Sequence, residues 1–337
     1  MNTPKKILIL GNSNSILKDG WLTFFKEKSN FVCLNLSIGG SPSPALILQV
    51  LLNENKLANI ELAIIEPCVI DHGEEWQDPI AIKKYALLLF SLLASKNIKS
   101  FLLVLPRNFK ALAGDTKGMR SWMDVADHFG IGYLNCSNLI RHFSKENNLT
   151  FEQCWRDDRG HLIAACQSII GYAVADSIRH VNSDTLTSLP HLEDFFKLFP
   201  LKDLIKKNIT ITERSSTLMS VSCAKLKVGS EFYLDSESNL SLYGFLINYG
   251  EMSSANKAIL HLATENSHFE VNVQNQFCAV EPSRKLTVLY KSIRPVNKVH
   301  LVRVPDVSDN SFYKNDSNYS IEVICVLVGR NLDEINI

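Results

Sequence analysis

Up to about residue 180, short apolar runs alternate with longer amphipathic stretches, and this alternation leaves few ways to fold the segment. The runs are Lys6–Leu10, Phe31–Leu36, Leu62–Glu66, Phe101–Leu105 and Ile131–Asn135. They are brief, nearly continuous in apolar character and rich in Ile, Leu and Val, as strands covered on both faces are. Between them lie helix signals. Ser43-Pro44 and Asp78-Pro79 each pair a capping residue with a proline suited to the first helical position. A last helix is expected from about Gly160 to Arg179, with Leu162, Ile163, Cys166, Ile169, Ile170, Ala173 and Val174 on its inner stripe. Strand and helix repeated in this way predict an α/β, flavodoxin-like doubly wound parallel sheet with helices on both faces.

The texture changes after Arg179. Residues 181–208 read as a linker, polar at first and then a helical connector over His191–Lys207, in which Lys202, Lys206 and Lys207 form a solvated face. From Ile209 to the end the period drops to two. About nine strand candidates, separated by Ser, Asn, Gly and Asp clusters, predict a mostly antiparallel, β-sandwich-like accessory domain over 209–337.

Charge narrows the function classes. Lys+Arg and Asp+Glu balance at 35 each, so nothing favours nucleic acid or an anionic membrane surface. No apolar run approaches the ~18 residues of a membrane span, and the first residues do not resemble a secretion signal. The eight cysteines are scattered in apolar context without metal-ligand spacing. They read as reduced, buried small hydrophobes in a cytoplasmic protein, with no metal and no cofactor expected.

Open parallel sheets bind ligands beyond the carboxyl ends of their strands. The first strand ends in Gly11-Asn12-Ser13-Asn14-Ser15, where glycine permits a tight turn into a helix. The second ends in Ser37-Ile38-Gly39-Gly40-Ser41, in which glycines let a backbone N–H approach a substrate oxygen. The third ends in Glu66-Pro67-Cys68-Val69-Ile70-Asp71-His72. Asp157-Asp158-Arg159-Gly160-His161 precedes the last helix.

In that order these segments resemble the blocks of the SGNH (GDSL-like) hydrolases over roughly residues 5 to 180. Gly11-Asn12-Ser13 is similar to the first block, usually Gly-Asp-Ser, with an Asn12 amide able to cap the turn. Gly40 resembles the block-two glycine, and Asp158-Arg159-Gly160-His161 resembles the closing Asp-x-x-His. The resemblance implies Ser13 as nucleophile, His161 as general base and Asp158 as its orienting carboxylate. The backbone N–H groups of Ser13 and Gly40 would hold the oxyanion. It also exposes a departure: Ile70 occupies the position where the family places an asparagine donor. Asn14 is the nearest polar replacement. Asn12, Asp71 and Trp155 are candidates for substrate contact, with Arg156 beside them.

The expected activity is removal of an O-acyl group, acetyl above all, from a carbohydrate or related ester. Two alternatives stay open. An acyl-serine resolved by a sugar hydroxyl would make the chain an O-acetyltransferase. The lost asparagine would suit a catalytically weak module that binds glycan or a partner in polysaccharide assembly. Tyr233, Tyr243, Phe245, Tyr249 and Phe277 are aromatics of the second half that either stack on sugar or fill its core. The expected partners are an acylated small molecule or carbohydrate, with oligomeric state unspecified.

Overall fold

The computed structural model describes the chain except for residues 1–4, 40–41, 68–78, 107–111, 113–114, 159, 182–188, 191, 193, 201–205, 216–219, 235–239, 249–258, 265, 273–287, 298, 300, 304–319 and 336–337. The chain divides into two compact units, with the boundary between residues 193 and 194.

The first unit is built on five parallel strands. These are β1 (Lys6–Leu10), β2 (Val32–Asn35), β3 (Ile60–Ile65), β4 (Lys99–Val104) and β5 (Tyr133–Asn135), in the spatial order β2-β1-β3-β4-β5. Six helices connect and follow them: α1 (Trp21–Lys28), α2 (Ser43–Leu52), α3 (Pro79–Ser95), α4 (Lys117–His128), α5 (Ser137–Glu146) and α6 (Ala164–Ser177). This is the doubly wound, flavodoxin-like order that the apolar runs predicted. Every residue of β1 after Lys6 is buried, as are the last four of β3. Side chains of one parity, Ile7, Ile9, Leu62, Ile64, Phe101 and Leu103, share a core with Trp21 and Phe25 of α1, Ile140 of α5 and Ile170 and Val174 of α6.

Two local expectations are corrected. Ser43 lies inside α2, whose cap is the extended Pro42; Ser43 makes no cap there. The last helix begins at Ala164 rather than Gly160, because the chain ahead of it is occupied in a hairpin. Trp155 pairs with Leu162, Arg156 N donates to His161 O at 2.8 Å, and Ile163 N donates to Cys154 O at 3.0 Å. The buried face of α6 is also rotated, running through Cys166, Gln167, Ile170, Gly171, Val174 and Ala175. Gly171 permits this packing: a Cβ there would stand 2.4 Å from Trp21 O and 2.8 Å from Phe25 N. Only a glycine lets α1 and α6 approach so closely.

The second unit is antiparallel throughout its described pairings. Its strands are β6 (Phe196–Pro200), β7 (Lys206–Ser215), β8 (Ser220–Tyr233), β9 (Ser241–Asn248), β10 (Ile259–Ala263), β11 (His268–Asn272), β12 (Val288–Asn297), β13 (Leu301–Arg303) and β14 (Ser320–Gly329). They form one hydrogen-bonded sheet in the order β11-β10-β13-β8-β14-β9-β12, with β6 added against β14 and β7 against β8. The helical connector is therefore corrected to strand. Phe196–Pro200 pairs with Cys325–Gly329, and Lys206 and Lys207 open β7 instead of lying on a helix face. Phe195 and Phe196 are buried there, Phe196 edge-on to Tyr243 at 4.9 Å. Pairing with β14 overrides a spacing that also fits a helix.

The six cysteines among the described residues carry free thiols, all buried except the half-buried Cys33. Desolvation pushes the Cys33 thiol up to about 11 and those of Cys223 and Cys325 to about 12. Among the described residues no helix is long and apolar enough to cross a membrane.

A charge is buried in the second unit as well. Glu322 is 4% exposed. It accepts from Arg214 Nε at 3.0 Å, from the Arg214 terminal nitrogen, and from Asn248 Nδ2 at 2.7 Å. Burial alone would raise its carboxyl, but the Arg214 and Asn248 hydrogen bonds overcome this and hold it below the usual value. Glu322→Gln should lower stability by about 1–3 kcal/mol, since it leaves the guanidinium uncompensated. A carboxyl depressed in the folded state stabilises above its unfolded pKa, and that contribution disappears as pH falls through the folded value. Thermal melts of wild type and variant should therefore differ at neutral pH and converge on acidification.

Candidate active site

The order β2-β1-β3 reverses direction between β1 and β3, which makes the carboxyl ends of these two strands the crevice of the sheet. Both notable termini open there. After β1 the chain passes through Asn12, in extended backbone, into a single 3-10 turn, Ser13–Ser15. The Ser13 carbonyl accepts from Ile16 N and Leu17 N, both at 3.0 Å, which fixes the turn. Ser13 itself remains half-buried while Asn12, Asn14 and Ser15 are buried around it.

The loop after β2 is fastened to the same turn. Asn35 Nδ2 donates to Ser15 O at 2.9 Å, and Ile38 N donates to Gly11 O at 3.2 Å. Gly39 passes close enough that an added Cβ would lie 3.8 Å from Ser13 Cβ.

From the other end of the unit, the Trp155–Leu162 hairpin delivers a histidine. Ser13 Oγ is 2.8 Å from His161 Nε2, and His161 Nδ1 is 2.6 Å from Asp158 Oδ2. The carboxylate can only accept, so Nδ1 carries the ring proton and Nε2 is free to accept from the serine hydroxyl. The second carboxylate oxygen accepts from the backbone N–H of Gly160 at 2.9 Å and of His161 at 3.0 Å. Asp158 thus shapes the turn and orients the ring at once. Desolvation acts to raise its carboxyl, but the hydrogen bonds from the His161 ring and the two backbone N–H groups bring it below the usual value. It is therefore ionised across the neutral range.

Arg156 braces the hairpin from outside. Its Nε donates to Leu162 O at 3.0 Å, and a terminal nitrogen pairs with Asp19, just past the nucleophile turn, at 2.7 Å. The Arg156 hydrogen bond holds the Asp19 carboxyl below its ordinary value against the opposing effect of burial.

Three of the sequence-derived residues are thus brought together: Ser13, His161 and Asp158. Others are not. The Asn14 side chain is buried, 3% exposed, with its Oδ1 accepting from Gln167 Nε2 at 2.7 Å. Trp155 is 5% exposed in the hydrophobic core, not a wall of a substrate site. Asn12 makes no side-chain cap on the turn and is 2% exposed, too buried for substrate contact. Gly40, Ile70, Asp71 and His72 lie outside the described residues. Of the aromatics in the second half, Tyr243 and Phe245 are core, Tyr233 is exposed, and Tyr249 and Phe277 lie outside the described residues. Among the described residues no group of three or more His, Cys, Asp or Glu side chains is placed to hold a metal ion.

Sequence reasoning missed Glu66, which is fully buried at the end of β3 beneath the nucleophile turn. Its Oε2 accepts from Ser15 Oγ and, at 3.0 Å, from Trp21 Nε1. Desolvation pushes this carboxyl up. Hydrogen bonds from Ser15, Trp21, the Asn14 side chain and the Asn12 backbone N–H work against that push. The available signal was a glutamate ending an otherwise apolar strand, since carboxylates are rarely fully buried without partners.

No protein-family model and no curated protein matches the chain. Solved structures match about half of it. A lipolytic protein of the G-D-S-L family from Veillonella parvula is 12% identical, covering 52% of this chain and 99% of its own, with a TM-score of 0.43. A lipase/acylhydrolase from Enterococcus faecalis is 10% identical over 53% of this chain and 98% of its own, also at 0.43. An acetyl xylan esterase is 16% identical over 52% of this chain and 98% of its own, at 0.41.

Gly11 is packed against the carboxyl beneath the turn. A Cβ there would lie 2.5 Å from Ser15 Oγ and 2.9 Å from Glu66 Oε2, both already committed to each other. Gly11→Ala should therefore destabilise the unit by about 1–3 kcal/mol and displace the nucleophile turn. Melting temperature should fall; an equally stable alanine variant would contradict the packing described.

Proposed function

We propose that the first unit is an SGNH-type serine hydrolase acting on esters, with Ser13 as nucleophile, His161 as general base and Asp158 as the orienting carboxylate. The observation that carries this reading is the continuous chain from Ser13 Oγ to His161 Nε2 at 2.8 Å and from His161 Nδ1 to Asp158 Oδ2 at 2.6 Å. A structural serine or a simple capping aspartate has no need of an imidazole held between them in one tautomer.

The proposed chemistry is acyl transfer through the serine. Ser13 Oγ attacks the ester carbonyl while Nε2 of His161 takes its proton. Asp158 keeps the other ring proton and stabilises the imidazolium that forms. The motif resemblance assigns the negative charge on the carbonyl oxygen to the backbone N–H groups of Ser13 and Gly40. His161 then returns its proton to the departing alkoxide, and the acyl-serine is released by an incoming hydroxyl.

The substrate class in this proposal is an O-acylated carbohydrate, acetylated above all. Its support is the resemblance of the motif order, together with the presence of a separate β-rich unit bearing the exposed aromatic Tyr233. Cleavage by water is the simplest outcome, and a sugar hydroxyl in place of water would make the same site an acyltransferase.

Hydrolysis of p-nitrophenyl acetate, with and without an acceptor sugar, tests the reading. Ser13→Ala and His161→Ala should each lose turnover by a factor on the order of 10⁴ or more. Asp158→Asn should lose on the order of 10³-fold or more, because an amide favours the wrong imidazole tautomer. A wild type without serine-dependent turnover toward this ester, an O-acetylated glycan or an acceptor sugar would leave a binding module in its place.

A further inference from the structure

Beneath the triad, five buried side chains form one hydrogen-bonded system. Glu66 accepts from the Trp21 indole N–H at 3.0 Å and from Ser15 Oγ. The Trp21 backbone N–H donates to Gln167 Oε1 at 3.0 Å, and Gln167 Nε2 donates to Asn14 Oδ1 at 2.7 Å. Asn14 and Ser15 are consecutive residues, so the backbone between them closes the circuit. Glu66, Trp21 and Gln167 are completely buried, and Asn14 and Ser15 are 3% exposed.

The sources of these groups give the circuit its meaning. Asn14 and Ser15 directly follow the nucleophile. Trp21 opens α1, Glu66 directly follows β3, and Gln167 lies on α6, the helix that the His161 hairpin feeds. Apart from the chain itself, the circuit ties the serine-bearing turn to the helix behind the histidine. A buried carboxyl is an unfavourable way to fill the end of an apolar strand unless its donors are wanted where they are. None of the five touches His161 or Asp158 by any hydrogen bond the structure describes, so their influence passes through Ser13's own turn.

We propose that Glu66 is the positioning residue of the nucleophile, and that the circuit it closes with Ser15, Trp21, Gln167 and Asn14 sets Ser13 in register with His161. The proposal rests on the serine-hydrolase reading above. Glu66→Gln preserves the shape but puts a weaker acceptor opposite Ser15 Oγ and Trp21 Nε1, so the turn is held less firmly. A displacement of the reacting oxygen on the ångström scale costs about tenfold to a hundredfold in rate.

The test follows modification of Ser13 in the full chain by an organophosphonate, read by intact mass, alongside kcat and KM for p-nitrophenyl acetate. In Glu66→Gln, labelling and kcat should both fall by about tenfold or more with KM nearly unchanged. Ser15→Ala, which removes the donor next to the nucleophile, should slow labelling in the same direction and serves if Glu66→Gln does not fold. Ile64→Val, on the same strand but facing the apolar core, should label at close to the wild-type rate at any temperature below its melting transition. Wild-type-like labelling of both Glu66→Gln and Ser15→Ala overturns the proposal while leaving the hydrolase reading standing. So does equal slowing in Ile64→Val, which would reduce Glu66 to a generic packing role. A wild type that neither labels nor turns over overturns both.

Discussion

A carboxyl group stripped of water at the end of β3 constrains the first unit more than any other single group. Glu66 cannot be solvated where it lies, so the surrounding chain must supply its hydrogen bonds. The donors come from the nucleophile turn and from the start of α1, and the circuit extends to α6 through Gln167. Gly11 must be glycine for Glu66 and Ser15 to meet, and Gly171 must be glycine for Trp21 to sit against α6. Local backbone choices, helix packing and the site thus answer to one buried carboxyl.

Above this layer the Ser13–His161–Asp158 geometry is assembled from short pieces with separate jobs. The sheet's reversal between β1 and β3 supplies the crevice. A 3-10 turn presents Ser13, and a hairpin closed by Trp155 and Leu162 presents His161. Asp158 spends one oxygen on the hairpin's own backbone and the other on the ring. Arg156 ties that hairpin to Asp19 on the serine side. The two sides are therefore braced twice, by a buried polar circuit below and an ion pair at the surface. The buried one carries more of the constraint, because water and salt weaken the exposed pair.

Much of this was legible before any coordinates. The five parallel strands were visible because strands covered on both faces must be apolar throughout, and the triad because its residues sit at strand and turn ends in a characteristic order. What escaped did so for physical reasons. The start of α6 was placed too early because Asp158 resembles a helix cap, and it does cap backbone N–H groups, but those of a hairpin turn. Residues 196–200 carry a spacing that suits helix or strand, and only pairing with β14, distant in sequence, decides between them. Asn14 was expected to replace the missing oxyanion donor because it is polar and beside the serine, yet a fully buried Gln167 offered its oxygen a partner from 153 positions away. Polar residues on apolar stripes, Glu66 and Gln167, were the readable trace of that circuit.

The account stands on Ser13, His161 and Asp158 being assembled in the resting protein, and proton NMR of the free protein at low temperature examines this directly. The His161 Nδ1 proton, held against a carboxylate at 2.6 Å, should give a resonance far downfield of the amide envelope. That resonance should persist in Ser13→Ala and vanish in Asp158→Asn. A wild-type spectrum with no such signal, or a signal indifferent to Asp158→Asn, would contradict the assembled triad.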